Sequence, residues 1–323
     1  MRFDNSISFP GLGIEVDPST GFSIGNFELK WYAIIIATGM LLAAIYAIYR
    51  CKKFGLTGDD IMDILLIGAP CAIVGARAYY VLFEWERYFV NPEHWYDFLN
   101  IRGGGLAIYG GVIGGVLGLC IFYLSKKERR RKMLPAFDIG GIGLLIGQGI
   151  GRWGNFINRE AFGCYTDNIF AMRISQSNLS YNASKVSESY LAQVEHLKNM
   201  AVEGGYTGFI QVHPTFLYES VWNLAGFVLL HFLSKKRKFD GQVFLYYIAW
   251  YGLGRAWIEG LRMDSLGAGN FRASQVLAAV TCVAALAVLV YVLIKKKPDG
   301  SKLLVSRIAA EAAASEESVQ EEE

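Results

Sequence analysis

Seven long apolar runs divide the chain, and polar or basic segments separate them. The runs cover roughly residues 31–49, 60–83, 104–125, 135–156, 214–233, 241–260 and 272–294. A bilayer core of about 30 Å takes roughly 20 apolar residues in a helix, so each run predicts one span. Residues 1 to 30 are polar and turn-rich, with Pro10, Asp17-Pro18 and Gly21, and the alternation in FSIGNFELKW predicts interfacial loop or brief strand. Residues 158–212 are mostly polar and predict a small extracytoplasmic head. The spacing of their apolar positions does not disclose how that head folds. The tail 296–323 is Ala-rich and ends in SEESVQEEE, which predicts a frayed helix or disorder.

Charge orients these spans. Of 31 Lys and Arg residues, 16 lie in four blocks: Arg50/Lys52/Lys53, Lys126 to Lys132, Lys235 to Lys238 and Lys295 to Lys297. Each block directly follows an apolar run, the position of a cytoplasmic anchor. With seven spans the N-terminus is outside, the C-terminus is cytoplasmic, and all four blocks fall on one side. An eighth span or a missing one would invert the later blocks. The loop EWERYFVNPEHWYDFLN has the Trp and Tyr content of an interfacial belt.

Composition agrees with this pattern: 53% of residues are hydrophobic and 19% charged, against about 25% charged in soluble domains. The expected fold class is all-α, a polytopic membrane protein forming one domain over 1–295. The basic blocks lack interleaved aromatics, so no nucleic acid is expected as a partner. Five scattered cysteines form no CxxC pair and four histidines no HExxH, so neither a disulfide framework nor a metal site is expected, and no cofactor. The start MRFDNSISFPG has no basic region followed by a short apolar one, so no cleaved signal peptide is expected.

Two features point to chemistry. Spans three and four are glycine-rich, with Gly111 and Gly115 four apart and Gly143, Gly147 and Gly151 likewise, the spacing that lets membrane helices approach closely. Gly149, Gly151 and Gly154 also spell GxGxxG, but no strand precedes them and no βαβ unit surrounds them. Charges inside apolar runs are costly; here they are Asp63, Arg77, Asp138, Arg152, Glu219, Arg255 and Glu259. Each is open to an internal ion pair, and Arg255 and Glu259 stand four apart on one helical face. Arg152 and Arg255 both lie toward the outer ends of their spans, where two guanidiniums at one depth would clamp a phosphate. That favours a substrate with an anionic head and a greasy body. These features leave a lipid enzyme and a membrane transporter for an anionic solute nearly level, with a non-catalytic scaffold as the third reading.

Four segments carry a resemblance. GRWGNFINRE (Gly151 to Glu160), HPTFLYES (His213 to Ser220), YGLGRAWIEGLR (Tyr251 to Arg262) and GGGLAIYGG (Gly103 to Gly111) resemble, in order and spacing, the signatures of the bacterial prolipoprotein diacylglyceryl transferases, as does LKWYA at the first span. The resemblance covers about residues 1–295. It implies an enzyme of the bacterial cytoplasmic (inner) membrane, acting toward the outer leaflet. Such an enzyme moves the diacylglyceryl group of phosphatidylglycerol onto the lipobox cysteine thiol of prolipoprotein signal peptides, forming a thioether and releasing glycerol phosphate. It also implies site residues. The signature arginine falls on Arg152, its asparagine on Asn155 and the following glycine on Gly163. The third signature places Tyr251, Arg255, Glu259 and Arg262, and the first-span tyrosine is Tyr32. Glu160 closes the central signature and is a candidate base or arginine orienter. Many relatives have a histidine before the paired glycines of the third span, proposed as the base; here the position is Tyr109, a neutral phenol with a reference pKa of about 10.

Overall fold

The computed structural model describes residues 6–25, 27–90, 94, 96–101, 104–178, 188–262, 267–268 and 271–322. Residues 1–5 of the N-terminal segment, Gly103, parts of the aromatic loop, of the head and of the stretch GLRMDSLGAGN lie outside the described residues. The chain opens with four short strands, β1 (Ile7–Phe9), β2 (Ile14–Val16), β3 (Gly21–Ile24) and β4 (Phe27–Lys30). Next come α1 (Trp31–Arg50), α2 (Gly58–Phe83), α3 (Ile108–Leu124), the single turn α4 (Lys127–Arg130) and α5 (Met133–Asn158). After β5 (Met172–Ser175), α6 (Glu188–Glu203) and β6 (Phe209–Val212), the chain returns to long helices, α7 (Thr215–Ser234) and α8 (Gln242–Ile258). A small hairpin, β7 (Gly267–Ala268) with β8 (Phe271–Arg272), precedes α9 (Ala273–Tyr291) and α10 (Leu304–Glu322).

Helices stand at all seven apolar runs, so the architecture is helical and multi-spanning. Among the described residues, five segments are long and apolar enough to cross a membrane: Trp31–Phe54, Gly58–Phe83, Met133–Asn158, Thr215–Ser234 and Ser274–Lys296. The other two differ from the expectation of seven full-length spans. Helices α3 and α8 have 17 residues each, which at 1.5 Å per residue is roughly 26 Å, under the bilayer core. α3 begins only at Ile108 because Gly104 and Gly105 ahead of it have φ of 87° and 77°, which no helix accommodates. α8 tightens into a 3-10 turn at Glu259–Leu261.

The chain forms two compact units, one of Met1–Ala43, Gly141–Lys236 and Val243–Lys297, the other of Ala44–Gly140, Arg237–Gln242 and Pro298–Glu323. In the first, an antiparallel sheet of order β2-β1-β5-β6 builds the head. Its register pairs Ile7 with Ile174 and Met172 with Val212. Ile7, Met172, Ile174, Ile210 and Val212 fill a core with Val194 and Leu197 of α6. Arg173, one residue out of phase, instead donates to Gln211 at 2.9 Å, as the two-residue period of a strand requires. FSIGNFELKW becomes the β3–β4 hairpin, Phe22 opposite Leu29, with its turn at Gly25, φ 60°. Also in this unit, the stripe Gly143, Gly147, Gly151 meets α1: Gly147 lies against Gly39, and Gly143 and Gly151 against Ala43 and Ile36. Of the three, Gly151 alone stands where a Cβ would be tight, 3.1 Å from Ile36; Gly143 makes an ordinary contact of 3.6 Å and a Cβ on Gly147 would meet open space, so the expected close approach holds at one position of the stripe.

In the second unit, α2 and α3 pack backbone to backbone. A Cβ on Gly114 would overlap the Cys71 carbonyl oxygen, and one on Gly75 would stand 2.7 Å from the Gly114 Cα. The tight stripe is therefore Gly110, Gly114 and Gly118. Gly111 and Gly115, picked out by the same spacing, make only ordinary contacts of 3.4 to 3.6 Å; a four-residue period does not say which of two neighbouring faces is the interface. Among the described residues Arg77 has no ion-pair partner. Buried, it donates to the carbonyls of Asp97, Phe98, Gly104 and Gly105 at 2.7 to 3.0 Å and so ties down the loop before α3. Asp60 and Lys132 do pair, at 2.8 Å. Asp138 accepts the Gly241 N–H at 2.8 Å. The acidic tail is helical from Leu304 to Glu322, anchored where Leu304, 1% exposed, donates its N–H to Asp240 at 2.8 Å.

The face assignment is testable by thermal unfolding in detergent. Gly114→Ala should lower stability by about 1–3 kcal/mol, the usual cost of overpacking, whereas Gly111→Ala should leave the melting temperature within error of the native protein.

Candidate active site

The ends of α5 and α8 and the first turns of α7 meet in the first unit, and Glu219 of α7 stands among them. This carboxylate is 4% exposed. Its Oε2 lies 2.6 Å from Nη2 of Arg152 and 3.6 Å from Nη1 of Arg255, and its Oε1 is 3.4 Å from Nη1 of Arg262. Arg255 also pairs with Glu259 at 2.7 Å, one helical turn on. Arg152 and Arg255 therefore converge on one point instead of lying at opposite ends of the bilayer. Each keeps about a fifth of its side-chain surface open, 19% and 21%.

Each arginine is aimed by its own sequence neighbours. The adjacent pair Arg152-Trp153 of α5 meets the adjacent pair Glu219-Ser220 of α7, Trp153 Nε1 donating to Ser220 Oγ at 3.2 Å. Between α7 and α8, Trp222 and Trp250 each donate an indole N–H to the other's carbonyl at 3.0 Å, their rings stacked 4.4 Å apart. That arrangement exists only because Gly254 and Gly226 face the two indoles; a Cβ at either would overlap the ring nitrogen. Gly254 directly precedes Arg255 and Trp222 follows Glu219 by three residues, so the tryptophan pair fixes the register between carboxylate and guanidinium. α9 contributes Ser274, which donates to Glu259 at 2.7 Å, and Gln275, which donates to the Ala256 carbonyl at 2.7 Å.

On the other side of Arg152, Asn155 accepts from its Nη1 at 3.2 Å and donates to Glu160 at 2.9 Å. Glu160 is exposed and flanked by two non-glycine residues in left-handed conformation, Arg159 at φ 56° and Ala161 at φ 57°. Each such residue costs of order 1–3 kcal/mol. Arg159 is held by donating to the carbonyls of Ile157 and Pro18, both at 2.9 Å, and the Ala161 carbonyl accepts from Thr215 Oγ1. The surroundings thus enforce a turn that aims one carboxylate toward Asn155. Tyr32 lies against Gly154, whose missing Cβ leaves room for the ring at 2.7 Å. Tyr251 stacks on Tyr247, whose hydroxyl takes a bond from Gln148 at 3.0 Å, and lies one turn before Arg255.

Gly163 serves the backbone. Its N–H donates to the His213 carbonyl at 3.0 Å and it bridges Arg262 as in a strand pair, with the His213 Cβ and the Leu261 carbonyl 2.6 and 2.7 Å from where a Cβ would stand. It holds Arg262 in place and presents no group of its own. Tyr109 belongs to the second unit, where it is 41% exposed in the first turn of α3. His213 bonds the Tyr218 hydroxyl at 3.3 Å, and burial pushes its imidazole below the ordinary range, which keeps it neutral at pH 7. No group of His, Cys, Asp and Glu able to hold a metal occurs among the described residues.

In the sequence Glu219 stands out only as one charge within an apolar run, and nothing local marks Ser220, Ser274, Trp222 or Trp250. An acid two turns into an apolar helix was the available signal for Glu219. The others depend on which helices touch.

Comparison with known proteins adds a separate line of support. The profile of the prolipoprotein diacylglyceryl transferase family matches residues 19–291. A phosphatidylglycerol--prolipoprotein diacylglyceryl transferase of Enterococcus faecalis is 42% identical over 275 residues, covering 84% of this chain and 89% of the relative. The enzyme of the same description from Bacillus cereus strain 03BB102 is 38% identical over 274 residues, covering 85% and 90%.

The register device can be tested directly. Gly254→Ala should break both indole bonds, change the near-ultraviolet dichroism of the tryptophans and cost about 1–3 kcal/mol in thermal unfolding. Gly260→Ala, whose nearest neighbour would be the Gln275 amide at 3.5 Å, should do neither.

Proposed function

Because the chain belongs to the prolipoprotein diacylglyceryl transferase family, we propose that it moves the diacylglyceryl group of phosphatidylglycerol onto the lipobox cysteine of prolipoproteins, in the bacterial cytoplasmic membrane. The single observation that carries the mechanism is the convergence of Arg152 and Arg255 on one point at the ends of their helices. In the reaction a glycerol carbon–oxygen bond breaks, a carbon–sulfur bond forms, and glycerol phosphate leaves with the bonding electrons. Negative charge grows on the phosphate as the bond lengthens. Guanidiniums fixed beforehand stabilise that growth without reorganising, and two of them offer bidentate donors. They keep their charge in surroundings poor in water.

The thiol is the nucleophile, and its reactive form is the thiolate, from a group with a reference pKa of about 8.5. The acceptor brings its own cysteine, so no enzyme nucleophile is needed. Glu160 is the exposed carboxylate beside the clamp, tied to Arg152 through Asn155, and we assign it the thiol proton. Glu259 is engaged with Arg255 and Ser274 and orients the guanidinium. Tyr32 and Tyr251 flank the arginines as head-group contacts. Tyr109 stays assigned to the site on resemblance, as a hydrogen-bond donor.

The finer topology belongs to the same reading. Seven spans, with α3 and α8 extended by flanking residues, put the N-terminus outside, the four basic blocks and the acidic tail in the cytoplasm, and the arginine cluster toward the outer leaflet.

Purified enzyme with phosphatidylglycerol and a lipobox peptide should yield thioether and glycerol phosphate in equal amounts, and a Cys→Ala peptide should yield neither. Arg152→Ala should lower turnover by about 10²–10³, the usual loss on removing one donor to a developing anion, with membrane insertion intact. Normal lipidation by this variant would remove the clamp mechanism. Tyr109→Phe should lower turnover by about tenfold or less, as loss of a single hydrogen bond allows; inactivity would move Tyr109 to the proton-transfer step.

A further inference from the structure

Three guanidiniums cannot crowd one point in apolar surroundings unless an anion is there, and in this structure that anion is the chain's own Glu219. The carboxylate divides its oxygens, Oε2 to Arg152 and Arg255 and Oε1 to Arg262. Glu259 supplies the second negative charge through Arg255. Formal charge over these five groups is three positive minus two negative, one net positive. Glu160, exposed beyond Asn155, is screened by water and adds little to that sum.

This matches the charge of the substrate better than that of the product. A phosphodiester such as phosphatidylglycerol carries one negative charge. The released phosphomonoester carries about 1.5 to 2 at pH 7, its second pKa being near 6. A cluster with three unbalanced arginines would hold the product more tightly than the substrate, and turnover would stall on release. We propose that Glu219 is a positioning residue that also sets specificity: it keeps Arg152, Arg255 and Arg262 converged before lipid arrives, and it trims their charge so that the site favours a singly charged phosphodiester over the phosphomonoester it releases. This rests on the transferase reading above.

The consequence is an effect on product affinity that a purely structural carboxylate would not have. Glu219→Gln keeps size and hydrogen-bonding capacity and removes the charge. Steady-state kinetics with phosphatidylglycerol and a lipobox peptide, with added glycerol 1-phosphate as product inhibitor, read the effect. In Glu219→Gln the inhibition constant should fall by about tenfold or more, as expected for one unit charge a few ångströms from the anion, and turnover should become limited by release. An inhibition constant equal to or higher than that of the native enzyme overturns the proposal. If Glu219→Gln does not fold, Glu219→Asp carries the test. Its shorter carboxylate cannot reach all three guanidiniums, so the KM for phosphatidylglycerol should rise several-fold with product inhibition near native; unchanged KM and turnover overturn the positioning role. Native enzyme that forms no thioether would defeat the transferase reading itself, whereas active native enzyme with an indifferent Glu219→Gln would defeat only this inference.

Discussion

Charge buried at the ends of apolar helices has to be balanced locally, and the site depends on how this chain balances it. An isolated arginine in a spanning helix costs about 2.5–3.5 kcal/mol even on the most permissive scale, and three together would repel. Glu219 and Glu259 answer that cost, and in doing so determine where each guanidinium points. Arg152 and Arg255 remain only partly covered because the carboxylates engage one side of each. The site we propose is the part of this ion cluster that stays open.

Holding such a cluster to within tenths of an ångström takes rigid helices in fixed register. Glycine supplies this where the bilayer gives no hydrophobic drive between helices. Gly226 and Gly254 admit the reciprocal tryptophan pair, Gly154 admits Tyr32, and Gly151 lets α5 close on Ile36 of α1. The polar head adds a second kind of restraint. Arg159 ties the chain leaving α5 to Pro18 in the N-terminal segment, while Thr215 and the Gly163–Arg262 bridge tie it to the start of α7 and the end of α8. The elements that carry the arginines are thereby tied to one another outside the helices as well.

The two units use buried charge differently. In the second, Arg77 gives its donors to backbone carbonyls and organises a loop, while Asp60 pairs with Lys132. Those groups are satisfied by the fold. Around Glu219, by contrast, three arginines meet two carboxylates, and Arg152 and Arg255 keep part of their surface open. This difference separates a site from a structural ion pair, and no count of in-span charges could have supplied it.

Much of this was legible from residue order. Helix positions follow from runs of apolar residues, because a bilayer accepts backbone only when its hydrogen bonds close within the segment. Alternation in FSIGNFELKW predicts loop or brief strand there, and strands β3 and β4 stand in that stretch; that they pair as a hairpin is tertiary information. Arg152, Asn155, Glu160, Arg255, Glu259 and Arg262 were all named from motifs, since each motif lies within one helix or its end. Tertiary structure decided what periodicity leaves degenerate or what joins distant segments. It chose Gly114 over Gly115 as the contact face, shortened α3 and α8, and folded the head around β1 and β5, more than 160 residues apart in order. It also made Glu219 the common partner of three arginines from two other parts of the chain. A local pattern fixes which way a residue leans on its own helix; which side chain it meets there depends on what the rest of the fold brings alongside.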